Sequence, residues 1–329
     1  MASTSQLDLG PMVTPPQFMK PLLTASQKGR LTRVMVATDF SMCADLALAR
    51  ALRLPVGDGA SLTLFHASRP VPGRGAPGDM SLEARCLSRV AGAARRRLRA
   101  REPVEVNEEL RAGDVVQEAA RAARRLDVEL LIAGRPHVMR HHDVTQRGAT
   151  VRGLVRQVEA PLLVVSAHPA RPYHHPLVAV DLSEDSRRAL ELTLRLCPPP
   201  VKVTVLHVPE PCTRPELWHA GMTSVEHWLV VRHEIEAAAR KAVSRFLAPY
   251  REVGRECEVC IRCSEPLEEA LLAEAAEQGA DLLALGMAAP DGEVPPRELA
   301  EHTVMRAPCD VLVAKAHGLA EQAGGNRID

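Results

Sequence analysis

Internal repetition constrains this chain more than any other feature. Residues 33–66 and 176–207 follow one pattern: an apolar run that ends in Asp with a Ser two positions on, a helix-like stretch, and a second apolar run closing on His. The paired positions are Asp39 and Ser41 in the first copy and Asp181 and Ser183 in the second. Because the two copies lie 142 residues apart, the repeating unit is a whole domain rather than a solenoid repeat.

Each half alternates short apolar runs with helix-like segments. The runs are VMVAT, SLTLFHA, PVEVNEEL, ELLIAG and PLLVV in the first half, and LVAV, VKVTVLHV, ECEVCIRC, DLLALG and DVLVAK in the second. Such runs between helices are typical of parallel strands covered on both faces. The sequence therefore predicts an α/β fold of two tandem doubly wound domains, each with a five-stranded parallel sheet. The predicted boundaries are a tail over 1–29, a first domain over 30–167, a linker over 168–175, a second domain over 176–316 and a tail over 317–329.

Charge and hydropathy narrow the functional classes. Basic and acidic residues number 41 each, so the chain has no net charge at neutral pH. This balance removes the long-range field that a general nucleic-acid or anionic-membrane binder uses. No apolar run approaches the roughly 18–20 residues that span a bilayer, and the first residues lack the basic-then-apolar order of a secretory signal. We expect a cytoplasmic protein that contacts neither nucleic acid nor a membrane.

The spacing C-x2-C-x2-C at Cys257, Cys260 and Cys263 invites a metal-site hypothesis. The segment reads as a strand, however, and a spacing of three on a strand sends successive side chains to opposite faces. Three thiolates so placed do not converge on one ion. We expect ordinary strand cysteines, reduced thiols and no metal site.

Four features recur in the same order in both halves. They are a strand-end Asp with a Ser two positions on, which continues as S-x-x-A in the first half, a second strand ending in His-Ala or His-Val, a fourth strand ending in glycine (Gly134 and Gly286), and a closing run, APLLVV or APCDVLVA. Together they make residues 33–315 resemble two tandem domains of the universal stress protein family. The alternative is another nucleotide-binding α/β fold. The resemblance implies a role in stress survival.

The resemblance also implies where a ligand would bind. Members that bind ATP place its phosphates in a loop after strand four, written G-x2-G-x9-G-[S/T], with the strand-one Asp near the ribose. Glycines let main-chain N–H groups approach phosphate oxygens, and the last Gly-Ser/Thr opens a helix whose N-terminus favours anions. The candidate nucleotide-binding residues in the first domain are Asp39, Gly134, His137, Gly148, Ala149 and Thr150.

Both loops depart from that pattern. In the first domain His137 stands at the second glycine, the loop is one residue longer, and Ala149 lacks the hydroxyl that Thr150 next to it retains. Its cationic residues would favour a phosphate; they are Arg135, Arg140, His141, His142 and Arg147. In the second domain Arg297 and Glu298 replace Gly-Ser/Thr and the loop is two residues short. We expect ATP, if any nucleotide, in the first domain and none in the second.

No catalytic arrangement accompanies these motifs, because neither Ser41 nor Ser183 has a G-x-S-x-G context. The predicted function is a non-catalytic stress-response binding and regulatory module that acts on an unidentified protein partner. The alternative is an ATP- or AMP-binding sensor that uses the first domain only, and a third hypothesis is a slow ATPase. The runs PLLVV and DVLVA predict an internal pseudo-dimer that covers two strand edges, and a homodimer is a further expectation.

Overall fold

The computed structural model describes residues 30–68, 80–98, 104–136, 148–166, 171–209, 225–263, 266–287 and 296–315. Within these ranges strands and helices alternate as the sequence predicts. The strands are β1 (Leu31–Ala37), β2 (Val56–Ser68), β3 (Glu105–Ala112), β4 (Leu130–Gly134), β5 (Leu162–Val165), β6 (Pro176–Ala179), β7 (Val203–His207), β8 (Cys257–Ile261), β9 (Leu282–Gly286) and β10 (Asp310–Ala314). The helices are α1 (Met42–Ala51), α2 (Met80–Leu98), α3 (Val115–Arg125), α4 (Ala149–Gln157), α5 (Glu184–Leu196), α6 (Val225–Glu252), α7 (Leu267–Glu277) and α8 (Pro296–Arg306).

All ten strands belong to one sheet, in the order β3-β2-β1-β4-β5-β10-β9-β6-β7-β8. Neighbouring strands are parallel within each half, whereas β5 and β10 are antiparallel, with Leu163 opposite Leu312. The predicted fold class, two tandem α/β domains with parallel sheets, is therefore confirmed. The pairing expected of PLLVV with DVLVA is present, and it joins the two sheets at what we call the seam.

Two hydrophobic cores cover the two faces of this sheet, and each extends through both halves. Helices α1, α2, α5 and α6 contribute to one core, and α3, α4, α7 and α8 to the other. At the seam, Leu163 and Leu312 enter the first core, while Val164 and Val311 enter the second. Alternate side chains of a strand point to opposite faces, so both cores are continuous across the β5–β10 pair.

A buried carboxylate anchors the seam. Asp310, at the start of β10, is 1% exposed. Its Oδ1 accepts hydrogen bonds from the backbone N–H of Ser166 at 2.8 Å and from the Ser166 hydroxyl at 2.9 Å. Its Oδ2 accepts from Arg50 Nε and from the Tyr173 hydroxyl, both at 2.8 Å. Burial raises the pKa of Tyr173 well above its usual value, so this hydroxyl remains a donor. The predicted linker thus contributes a buried side chain to the seam.

A second carboxylate, Glu129 before β4, also joins the two halves. It accepts from the backbone and hydroxyl of Thr32 at 2.6 and 2.7 Å, from the Arg33 N–H at 3.0 Å, and from Arg195 of α5 at 3.0 Å. Burial acts to raise the pKa of Glu129, but these donors outweigh it and hold the pKa at about 2.

No helix in the described part of the chain combines the length and the apolar character that crossing a membrane requires.

Substitution of Asp310 is expected to destabilise the whole protein. Asp310→Ala leaves the Arg50 guanidinium buried without its counter-charge, and such a change costs about 3–5 kcal/mol. Denaturant unfolding measures this loss. The double variant Arg50→Met/Asp310→Leu, which removes both charges, should recover only part of it, because Ser166 and Tyr173 still lose their acceptor. A loss below about 1 kcal/mol for Asp310→Ala would show that the seam does not depend on this pair.

Glu129 predicts a specific dependence of stability on pH. Its folded-state pKa of about 2 lies below the ordinary value of 4.5, so its stabilising effect is complete above pH 4.5 and is lost as the pH falls towards 2. The difference in unfolding free energy between wild type and Glu129→Gln should be present at pH 7 and shrink through this window. A difference that does not change with pH would contradict the account.

Candidate functional site

The turn after β1 places Asp39 at the carboxyl edge of the first domain. Asp39 Oδ1 accepts the backbone N–H of Ser41 at 3.0 Å, and Phe40 between them has a left-handed φ of 62°. Ser41 in turn caps α1 by accepting from the Ala44 N–H at 3.3 Å. One oxygen of the exposed Asp39 carboxylate therefore shapes the turn, and Oδ2 has no hydrogen-bond partner among the described residues.

The histidine that closes the second strand of each repeat supports this turn. His66 Nδ1 lies 2.7 Å from the carbonyl oxygen of Thr38, so Nδ1 carries the proton and donates it. The ring lies 4.5 Å from that of Phe40, and the buried Nε2 is 3.6 Å from Glu83 Oε1. His207 makes the same contact with Val180 O in the second domain, where burial lowers its pKa. The repeated histidine thus holds the strand ends together.

Gly134, predicted to lie in the phosphate loop, has a packing role at the end of β4. A Cβ on Gly134 would lie 2.2 Å from the carbonyl oxygen of Cys43, in the first turn of α1. A Cβ on Gly286, its counterpart in the second domain, would lie 2.4 Å from the backbone carbon of Asp185 in α5. Glycine is therefore required in both repeats because a helix crosses directly over the strand end, whether or not a ligand binds.

Gly148 opens α4 in the manner of an anion site. It is the N-cap, with a left-handed φ of 101° and no side-chain hydrogen bond to the helix, and Ala149 and Thr150 are exposed in the first turn. N–H groups of a first turn lack intrahelical partners, and the helix dipole favours negative charge there. Helix α4 leads into β5, which neighbours β4.

The structure thus brings most predicted site residues to one edge. Asp39 follows β1, and Gly134 is the last residue of the adjacent strand β4. Gly148, Ala149 and Thr150 lie at the start of α4, the helix that leads to β5. His137 lies outside the described residues, as do Arg140, His141, His142 and Arg147. Their predicted contribution to a phosphate site therefore stays a prediction.

In the second domain the helix equivalent to α4 does not begin at a glycine. Gly286 lies opposite Ala314 as Gly134 lies opposite Val165, and counting back from these pairs places Arg297 at the position of Gly148. Helix α8 begins at Pro296, which has no N–H to offer an anion. Glu298 is exposed in its first turn, where a carboxylate would repel a phosphate. The two carboxyl edges therefore differ in their capacity for anions.

Sequence reasoning missed the true partners of Arg135. Its guanidinium Nη1 donates to the carbonyl oxygens of Val304 at 3.1 Å and Ala307 at 2.6 Å, at the end of α8. Burial lowers the pKa of Arg135. Next to it, a Cβ on Gly148 would lie 2.8 Å from Met305 Cε. Helix α8 of the second domain therefore contacts both residues that flank the first-domain loop, and Nη1 of Arg135 binds the end of α8.

Cys257 and Cys260 lie on opposite faces of β8, as their spacing predicts, whereas Cys263 follows the end of that strand. Cys257 packs against the core formed with α5 and α6, and Cys260 against the opposite core. Cys260 donates to Glu274 at 3.3 Å, and burial raises its pKa to about 11. Within the described ranges no three His, Cys, Asp or Glu side chains are grouped to hold a metal ion.

The fold defines a protein of two tandem doubly wound α/β domains, and comparison with known proteins agrees. The model of the universal stress protein family matches residues 31–166 and 172–315. A universal stress protein of Archaeoglobus fulgidus DSM 4304 has a similar structure, with a TM-score of 0.58 and 18% identity over 86% of this chain and 95% of that one. A Pseudomonas aeruginosa UCBPP-PA14 protein given the same family designation has a TM-score of 0.53 and 17% identity over 87% and 93% of the two chains. Comparison with curated protein sequences gives no match.

These two family matches cover most of the chain. The protein therefore belongs to the universal stress protein family and contains two tandem domains of it. The structural similarities, at under 20% identity, support the fold.

The packing role of Gly134 predicts that its loss affects stability first. Gly134→Ala would force a methyl group into the backbone of α1 and should destabilise the protein by more than about 2 kcal/mol. Gly286→Ala should cost a similar amount, although the second domain lacks the anion-type helix start. Thermal and denaturant unfolding measure both. If Gly134→Ala were neutral for stability, the close approach of α1 would be refuted.

Proposed function

We propose that this protein is a non-catalytic binding and regulatory module of a stress response. The observation that supports the proposal is how the polar side chains at the first carboxyl edge are used. Asp39 holds its own turn, His66 holds the ends of β1 and β2, and Arg135 binds the end of α8. Each makes contacts within the fold, and Arg135 links this edge to the second domain, so a change at this edge would be passed on to the domain interface.

A second candidate function, a nucleotide sensor that uses the first domain alone, has its own supporting observation. Helix α4 starts at a left-handed glycine with exposed residues in its first turn, whereas α8 starts at a proline followed within two positions by a glutamate. In this proposal the α4 amides would hold phosphate oxygens, and Asp39 Oδ2 would accept a ribose hydroxyl. ATP or AMP is the proposed ligand. Slow ATP hydrolysis is a third hypothesis, and it would require a general base beside the nucleotide.

Titration calorimetry with Mg-ATP and with AMP tests both proposals. The sensor predicts one nucleotide per chain and loss of binding in Asp39→Asn, because Asn keeps the Oδ1 acceptor of the turn but removes the Oδ2 acceptor. Asp181→Asn is the matched control in the second domain and should bind like wild type.

The outcomes separate the proposals. Absence of heat with both nucleotides would exclude the sensor and leave the protein-binding module. Equal loss in both Asp variants would contradict a site confined to the first domain. Phosphate release from ATP that depends on Asp39 would overturn the non-catalytic proposal.

A further inference from the structure

The zero net charge of the chain conceals an uneven distribution between the two faces of the sheet. By sequence, helices α1, α2, α5 and α6 carry fourteen Lys and Arg residues against nine Asp and Glu. The four helices of the opposite face carry seven of each. We call the layer of α1, α2, α5 and α6 the basic face. The charge balance of the whole chain therefore does not describe this face.

The excess is concentrated on the outward side of α2. Buried side chains of this helix recur at 87, 91, 94 and 98. Arg85, Arg89 and Arg96 lie on the opposite side at helical spacing and are exposed. Along the described chain none of the three forms an ion pair, whereas Arg95 on the flank of the same helix pairs with Glu108 at 2.9 Å. We call these three residues the arginine stripe.

Apolar side chains accompany the arginine stripe. Leu82, one turn before Arg85, is 52% exposed. On α6, Val230 is 61% exposed and shares the outward side with Lys241 and Arg245. The exposed large hydrophobic residues of the described chain all lie in, or directly after, helices of the basic face; they are Met42, Leu82, Val230 and Val253.

The combination of unpaired arginines and exposed apolar side chains selects among anionic partners. A nucleic-acid backbone would use the charges but would leave Leu82 and Val230 without a role, and stacking on bases needs aromatic residues, which make up only 2% of this chain. An anionic bilayer uses both: arginines bind headgroup phosphates while apolar side chains enter the acyl boundary. We propose that the basic face docks peripherally on an anionic lipid bilayer, with the arginine stripe as its principal contact.

Vesicle co-sedimentation at about 0.05 M salt tests the proposal on the full chain. Wild type should bind vesicles of phosphatidylglycerol and phosphatidylcholine and ignore vesicles of phosphatidylcholine alone. Each arginine near an anionic surface strengthens binding about fivefold, so Arg85→Gln/Arg89→Gln/Arg96→Gln should weaken binding about a hundredfold. The matched control removes the same charge from the opposite face through Arg121→Gln/Arg124→Gln/Arg125→Gln, and it should change binding by less than about threefold.

A second pair of measurements separates a bilayer from other partners. Leu82→Ser/Val230→Ser should weaken binding to the anionic vesicles at unchanged charge. The proposal is overturned if wild type does not bind anionic vesicles, if the two triple-arginine variants lose equally, or if the serine variant binds like wild type. It is also overturned if a duplex DNA fragment binds the arginine stripe and thereby releases the protein from the vesicles.

Discussion

The antiparallel pairing of β5 with β10 is the constraint on which the rest of this structure depends. A parallel five-stranded sheet with its last strand unpaired would present a row of free N–H and C=O groups, and such an edge invites aggregation. Here each domain covers that edge of the other. The register of Leu163 against Leu312 also carries both hydrophobic cores across the seam, so neither half completes its interior alone.

Polar contacts at the seam make this association specific. Asp310 is satisfied by groups from α1, from the end of β5 and from the linker. Because a buried carboxylate without partners is costly, a shift of one domain against the other would be penalised at this point. Contacts of α4 extend the seam along that helix: Arg156 in its last turn pairs with Glu301 of α8, and Lys315, directly after β10, donates to the carbonyl oxygens of Val155 and Val158 at the C-terminal end of α4.

The second domain has a structural role at the carboxyl edge of the first domain, although its own helix α8 begins at a proline rather than at a glycine. Through Val304, Met305 and Ala307, helix α8 contacts the residues that flank the first-domain loop. The second domain thus supports the residues at both ends of that loop. A change in the seam and a change at the first carboxyl edge are physically linked through these contacts.

Local sequence patterns predicted the strands, the helices and the fold class, whereas contacts between residues far apart in the chain could not be predicted from them. Apolar runs such as VMVAT and caps such as Ser41 are short-range signals, so strands, helices and the fold class follow from sequence. Asp39, Gly134 and Gly148 also reach one edge, since their positions at strand and helix ends are set locally. The partner of Arg135 lies about 170 residues away, and Tyr173 is buried by a strand 137 residues further on. The net charge of the chain likewise does not reveal that Lys and Arg exceed Asp and Glu on one face of the sheet, because only the fold assigns each helix to a face.

The central claim is that the two domains form one cooperative structure through the β5–β10 seam. Differential scanning calorimetry of the full chain tests it most directly. We expect a single transition whose calorimetric enthalpy equals its van't Hoff enthalpy, as for a two-state unit. Two resolved transitions, or a calorimetric enthalpy about twice the van't Hoff value, would show that the domains unfold independently and would contradict the account.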